Sequence, residues 1–152
     1  MHQNCNHNDV NESLQKAEEI CQEKGLRFTE IRKKIFRLIL ENKAPIKAYE
    51  ILDVLKKKDK SVKPPTVYRA LDFLLESGIA HRLASLNSYV GCSHPQKHKQ
   101  CYFLICSNCH KAVECCNSKL LKAIDATTQE VNFVVETVSL EVVGKCQECV
   151  IL

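Results

Sequence analysis

The stretch from Cys92 to Cys116 reads CSHPQKHKQCYFLICSNCHKAVECC and holds six of the ten cysteines and three of the six histidines. Thiols and imidazoles at this density ligate metals or, in an oxidising compartment, pair as disulfides. The N-terminal run MHQNCNHNDVNES has no apolar h-region of a secretory signal. The expected compartment is therefore the cytoplasm, where a disulfide framework is not expected. Two cysteine pairs share one spacing, Cys106/Cys109 and Cys146/Cys149. One CxxC is ambiguous, but two in a short chain predict a single closed zinc site. Four thiolates at roughly 2.3 Å complete a tetrahedral shell and leave no position for a substrate. Such a cage contributes on the order of 10 kcal/mol to folding.

A second ligand group must come from His81, Cys92, His94, His98, Cys101, His110, Glu114, Cys115 and Cys116. His81 and Cys92 come from a predicted β hairpin on the N-terminal side and His98 and Glu114 from the C-terminal unit, so a site using all four bridges two domains. Ligands divided in that way make a switch, because metal favours the domain arrangement that completes the shell. A mixed S, N, N, O donor set suits zinc better than octahedral iron. His2, Cys5 and His7 lie in a polar tail that no adjacent element fixes.

The elements that position these groups follow from periodicity. Apolar residues at helical spacing predict helices over Val10 to Lys24, after Thr29 (with Ile31, Ile35, Leu38 and Ile39 inward), and from Lys47 to Lys57. A fourth helix is predicted in KPPTVYRALDFLLESG, opened by Pro65 and closed by Gly78. Val67, Ala70, Leu71 and Leu74 form its apolar stripe, and Tyr68, Arg69, Asp72 and Glu76 face the other way. Helices ending in one with an Arg- and Tyr-bearing face predict a helix-turn-helix reader. Arg69 would read a guanine edge or clamp a phosphate, and Tyr68 would touch a phosphate or a thymine methyl. Lys63 and Thr66, at the start of the same helix, complete the predicted DNA-contact set.

Charge agrees with this placement. Residues 1–84 carry 16 Lys/Arg against 12 Asp/Glu, whereas residues 85–152 carry 6 of each. All the excess positive charge lies in the half that would meet a polyanion. AHRLAS (80–85) and SYVGC (88–92) then form a two-stranded wing, with His81 and Cys92 on opposite strands. CYFLIC and AVECC make a hairpin around Ser107-Asn108, Ser118 to Glu130 a helix, and FVVETVSLEVVG a long apolar strand region. A sheet this small is marginal without a metal or a partner, and Asn132 to Val143 is the candidate for pairing between two subunits. The expected class is α+β: a winged helix-turn-helix domain over 1–84, a wing and hinge over 85–91 (pivoting near Ala84–Asn87), and a small α/β dimerisation domain with structural zinc over 92–152. No run of 18 apolar residues occurs, so no membrane partner is expected.

Enzyme readings fail on pattern. The deaminase signature H-x-E…P-C-x-x-C is absent. CSNC leads into a second β run rather than opening a thioredoxin-like helix.

KPPTVYRALDFLLESGIAHR, NSYVGC, CSNC and CQEC, in that order, resemble the ferric uptake regulator family, and within it the zinc-sensing branch. The resemblance runs from about residue 12 to residue 149. It implies a zinc-responsive repressor that binds operator DNA as a zinc-loaded homodimer and controls zinc-uptake genes, with two Zn2+ per subunit. It places regulatory zinc ligands at His81, Cys92, His98 and Glu114, with His94 or Cys101 as substitutes for His98, and reader positions at Tyr68 and Arg69. An iron- or peroxide-responsive regulator of the same family and a structural zinc-ribbon interaction protein are the alternatives.

Overall fold

The computed structural model describes residues 9–96 and 101–151. The chain divides into two compact units, one through Ser93 and one from His94 onward.

The first unit is built on four helices and a hairpin. Helix α1 (Val10–Glu23) is capped by the Asp9 carboxylate, which accepts the Asn11 N–H at 3.1 Å, and turns only Ala17 and Cys21 fully inward. Gly25, at φ 65°, ends it in the left-handed region that a side chain resists. Helix α2 (Glu30–Glu41) buries Ile35, Phe36 and Ile39. Thr29 stands at its N-cap, but its side chain makes no cap hydrogen bond. Helix α3 (Ala48–Lys58) buries Ala48, Ile51 and Leu55, and a capping interaction from Glu50 to the Lys47 N–H at 2.7 Å fixes its start.

Helix α4 (Pro64–Glu76) buries the predicted stripe of Val67, Ala70, Leu71 and Leu74, each no more than 3% exposed. Prolines occupy its first two positions, where no intrahelical donor is lost. Gly78, at φ 78°, terminates it, and the Lys24 ammonium donates to the Ser77 carbonyl at 2.8 Å, tying the ends of α1 and α4. A second cluster closes the α2–α4 side, where the Arg32 guanidinium lies 3.7 Å over the Phe73 ring and Phe28 packs against both Phe36 and Phe73.

Strands β1 (Ala80–Leu83) and β2 (Ser88–Gly91) pair antiparallel, with His81 opposite Val90. Ile46 bridges to Tyr89 through two backbone hydrogen bonds of 3.0 and 2.8 Å, which anchors the hairpin to the start of α3. Residues 84–87, expected to be a hinge, are the tight turn of this hairpin, with Asn87 at φ 47°. The passage between the units therefore comes later, after Ser93.

The second unit is a three-stranded sheet of order β4-β3-β5 with helices α5 (Ser118–Glu130) and α6 (Gln147–Val150). Strand β3 (Cys101–Cys106) pairs antiparallel with β4 (Ala112–Cys116) and parallel with β5 (Glu141–Gly144). The long strand expected over residues 133–144 is confined to β5. Asn132 takes φ 55° and the Phe133 N–H bonds back to Thr128, so the start of that run is spent ending α5. The free edge of β3 accommodates only four residues of it. Phe133, Val134, Val142 and Val143 are consequently exposed, Val134 at 85%. Among the described residues, the buried apolar ones here are Phe103, Ile105 and Cys106, far fewer than in the first unit. Among the described residues, no helix is long and apolar enough to cross a membrane.

Candidate metal centre and nucleic-acid interface

The two CxxC segments meet in the second unit. At the end of β3 the chain reverses through Ser107–Cys109 into His110, which adopts φ 59° so that its N–H can donate to the Cys106 carbonyl at 2.9 Å. The reversal turns the Cys106 and Cys109 sulfurs to the same side. The Gly144 carbonyl accepts the Ser107 N–H at 2.7 Å, which brings the end of β5 alongside this turn. Cys146 then caps α6, and its carbonyl accepts the Cys149 N–H at 3.0 Å. The four sulfurs lie within 4.8 Å of one another, and Cys109 and Cys146 stand 3.7 Å apart. A tetrahedral zinc thiolate with bonds of about 2.3 Å has sulfur–sulfur edges of about 3.8 Å. Lys111 and Glu148 add an ion pair of 3.6 Å across the two halves.

The electrostatics of these sulfurs fit a bound cation. Backbone N–H groups of Cys109 and Cys146 hold the Cys106 thiol down to about 5. The Lys111 N–H favours a thiolate at Cys109 too, but the Cys106 sulfur, desolvation and the other two sulfurs outweigh it and push Cys109 up to about 11. One thiolate forms readily and then opposes its neighbours, so all four ionise together only around a cation. Their spacing and chemistry fit zinc.

The residues expected in the second ligand group fall in both units, and each unit can be described alone. In the first, His81 on β1 and Cys92 just after β2 present donor atoms within 4.8 Å of each other, and the Cys92 N–H donates to the Ile79 carbonyl at 2.9 Å. In the second, Glu114 on β4 is buried at 6% exposure, and its carboxylate lies within 4.8 Å of donor atoms on His94 and Cys116. His98 lies outside the described residues, as do His2, Cys5 and His7. Cys115 is half-buried, and Cys21 belongs to the core under α1, where burial pushes its thiol up.

One pairing departs from the sequence expectation. Cys101 and Cys116 face each other across β3 and β4 and are joined by a disulfide with a Cα separation of 4.2 Å. The signal was available: Cys101 and Cys116 are equidistant from the centre of the Ser107–His110 reversal, and antiparallel register makes such residues partners.

On the first unit, Lys63, Thr66, Tyr68 and Arg69 are all exposed, along the start of α4 opposite its buried stripe. Tyr68 is 52% exposed. An open pocket of about 390 Å³ adjoins it, lined by Lys47, Tyr49, Tyr68, Asp72 and Arg82 among others. Lys47 and Tyr49, which periodicity alone did not single out, thus share a face with Tyr68. Tyr49 is 59% exposed, and the Lys47 ammonium lies 5.9 Å from its ring centroid. The clue in the sequence was an aromatic at a position the apolar stripe of α3 leaves outside. Arg82 on β1 is braced by a 3.0 Å hydrogen bond to the Asn87 side chain. Cations and hydroxyl-bearing aromatics on one face are the groups that meet phosphates and base edges.

Residues 23–143 match the model of the ferric uptake regulator family. The chain is 37% identical over 141 residues to the zinc uptake regulation protein of Escherichia coli (strain K12), covering 91% of this chain and 82% of that protein. Among solved structures it is similar to a zinc uptake regulator complexed with zinc and DNA, at 35% identity and a TM-score of 0.88, covering 94% of this chain and 96% of that one. It is likewise similar to holo XcZur, at 40% identity and a TM-score of 0.85, covering 93% and 99% of the two chains. A family model spanning most of the sequence, and relatives aligned along nearly its whole length, lead to one conclusion: the chain belongs to the ferric uptake regulator family.

Proposed function

We propose that this protein is a zinc-responsive transcriptional repressor, acting in the cytoplasm as a homodimer on operator DNA and controlling zinc-uptake genes. The observation that carries the reading is the presence in one chain of an exposed Tyr68–Arg69 helix face and of separate ligand groups rich in cysteine. The relatives' association with zinc and DNA supports it. The function is regulatory: the four-cysteine shell offers no open position for a substrate.

Two zinc ions per subunit are expected. Cys106, Cys109, Cys146 and Cys149 hold the structural one. His81, Cys92, His98 and Glu114 hold the regulatory one, and the Cys92 thiolate selects zinc over the iron or peroxide chemistry of other family branches. Bound there, zinc supplies a fixed tetrahedral set of bonds. Because His81 is drawn from residues 1–84 (the DNA-binding domain) and Cys92, His98 and Glu114 from residues 92–152, beyond the wing and hinge segment 85–91, the four ligands can complete the shell only over a narrow range of domain arrangements. Lys63, Thr66, Tyr68 and Arg69 contact DNA, and a dimer reading a palindrome needs its two α4 helices about 34 Å apart. The exposed valines of 132–143 are the candidate contact between subunits.

The test is a mobility-shift titration on promoter DNA of zinc-uptake genes at buffered free zinc. Binding is expected to require zinc, and Arg69→Ala to weaken it by about 1–3 kcal/mol if the guanidinium reads a base edge. Equal binding with zinc chelated, or stronger binding with iron or manganese, would overturn the assignment.

A further inference from the structure

Strand β4 carries three consecutive polarisable or charged residues, Glu114, Cys115 and Cys116. The pleat separates them: Glu114 and Cys116 share one face and Cys115 takes the other. His94 approaches the shared face, with its Nδ1 at 3.5 Å from the Cys116 sulfur. Donor atoms of His94, Glu114 and Cys116 all lie within 4.8 Å of one another, and none of the three residues is exposed. For zinc bonds of about 2.3 Å to sulfur and about 2.0–2.1 Å to nitrogen, a tetrahedral S–N edge is about 3.6 Å. Thiolate, imidazole and carboxylate are a complete set of three protein ligands, with water for the fourth position.

The same Cys116 sulfur is the one bonded to Cys101. A sulfur in a disulfide has no thiolate to offer, so the triad and the disulfide exclude each other. We propose that His94, Glu114 and Cys116 form a redox-gated zinc site, closed while Cys101 and Cys116 are oxidised and opened when they are reduced. A dithiol reductant supplies the step. It transfers two electrons and two protons to the S–S bond, giving two thiols, and itself becomes a disulfide. The Cys116 proton then leaves to solvent as the thiolate takes its place on the metal. Glu114 is shared with the regulatory set proposed above, so filling the triad withdraws that carboxylate from the other site. The triad itself depends only on the geometry of β3, β4 and His94, whether or not the chain reads DNA.

Cobalt(II) is the probe, because only a thiolate ligand gives it an intense charge-transfer band. The full chain is prepared with its four-cysteine site filled with zinc and with Cys92→Ser, which removes the thiolate of the other proposed set. The dithiol-reduced protein is expected to show the band on adding cobalt. After treatment with an azo oxidant the band is absent, and dithiol restores it. Cys101→Ser shows it without reductant. Cys116→Ser abolishes it, and His94→Ala raises the cobalt needed at least tenfold. Far-UV circular dichroism and one retained zinc per chain identify folded variants. A band that survives Cys116→Ser in protein that has kept its zinc, or no band in the reduced Cys92→Ser protein, overturns the proposal. Loss of the band in Cys101→Ser overturns it equally, since Cys101 would then be a ligand rather than the gate. None of these readings involves DNA, so failure of the repressor assignment leaves them intact.

Discussion

Replacing Cys146 by Ser opens the four-sulfur cage at the residue that links its two halves. Cys146 caps α6, stands 3.7 Å from Cys109, and donates its N–H to the Cys106 sulfur at 3.4 Å. Apart from the Cys101–Cys116 disulfide, which joins β3 to β4 alone, the second unit has little else to hold it. Its buried large apolar side chains are Phe103 and Ile105, worth together about 3–6 kcal/mol. A structural zinc site contributes on the order of 10 kcal/mol or more, which is comparable to the whole stability of an ordinary domain. Cys146→Ser should therefore unfold the second unit and leave the first intact. Zinc content per chain should fall. Far-UV circular dichroism should keep most of its helical signal, because α1 to α4 draw on their own core of Ile35, Ile51, Leu71 and Leu74. Thermal unfolding should lose the transition belonging to the sheet and retain that of the helices. A variant with unchanged zinc content and an unchanged melt would refute the argument, for it would mean that the cage neither binds metal nor stabilises the sheet.

Other perturbations probe other parts. Leu71→Ala, at a side chain with no exposure, should cost the first unit about 2–5 kcal/mol, read by denaturant unfolding. Val143→Glu on β5, placed on an exposed strand of the small sheet, should shift the protein toward monomer in sedimentation equilibrium; a dimer of undiminished affinity would remove this face from the interface. Folding lowers the Cys106 thiol from an ordinary 9.0 to about 5. Its thiolate should therefore support the zinc-loaded fold fully above 9.0 and lose that contribution as pH falls through 5, so acid should release zinc, read with a chromophoric chelator.

Much of this was legible because it depends on spacing. Val67, Ala70, Leu71 and Leu74 recur every turn or so, and the stripe fixes which side of α4 carries Tyr68 and Arg69. Paired CxxC spacing identified the cage because two turns of the same shape suit one tetrahedral ion. What spacing left unread depends on contacts between distant segments. Phe36 is buried because Phe28 reaches it from outside α2, which the periodicity of α2 does not contain. Tyr49 becomes part of a face only once Tyr68 and Arg82 stand beside it. The valine-rich run beyond α5 satisfies every local preference for a strand, yet strand pairing needs a neighbour, and β3 offers an edge for Glu141–Gly144 alone. The Cys101–Cys116 bond lies beyond spacing for a different reason: it follows from the register of β3 on β4, which compartment alone does not reveal.

The cage has a consequence for how the protein is made. Its first pair of sulfurs is synthesised some forty residues before its last, and β3 waits equally long for its parallel neighbour β5. The first unit ends at Ser93, before any residue of the cage is made, and can fold as it leaves the ribosome, where synthesis runs at about 5–20 residues per second. The sheet cannot. For several seconds Cys106 and Cys109 are exposed on the growing chain as a half-filled site, open to stray metals and oxidants. The cellular zinc supply thus acts on this protein first at its birth, before any question of sensing arises.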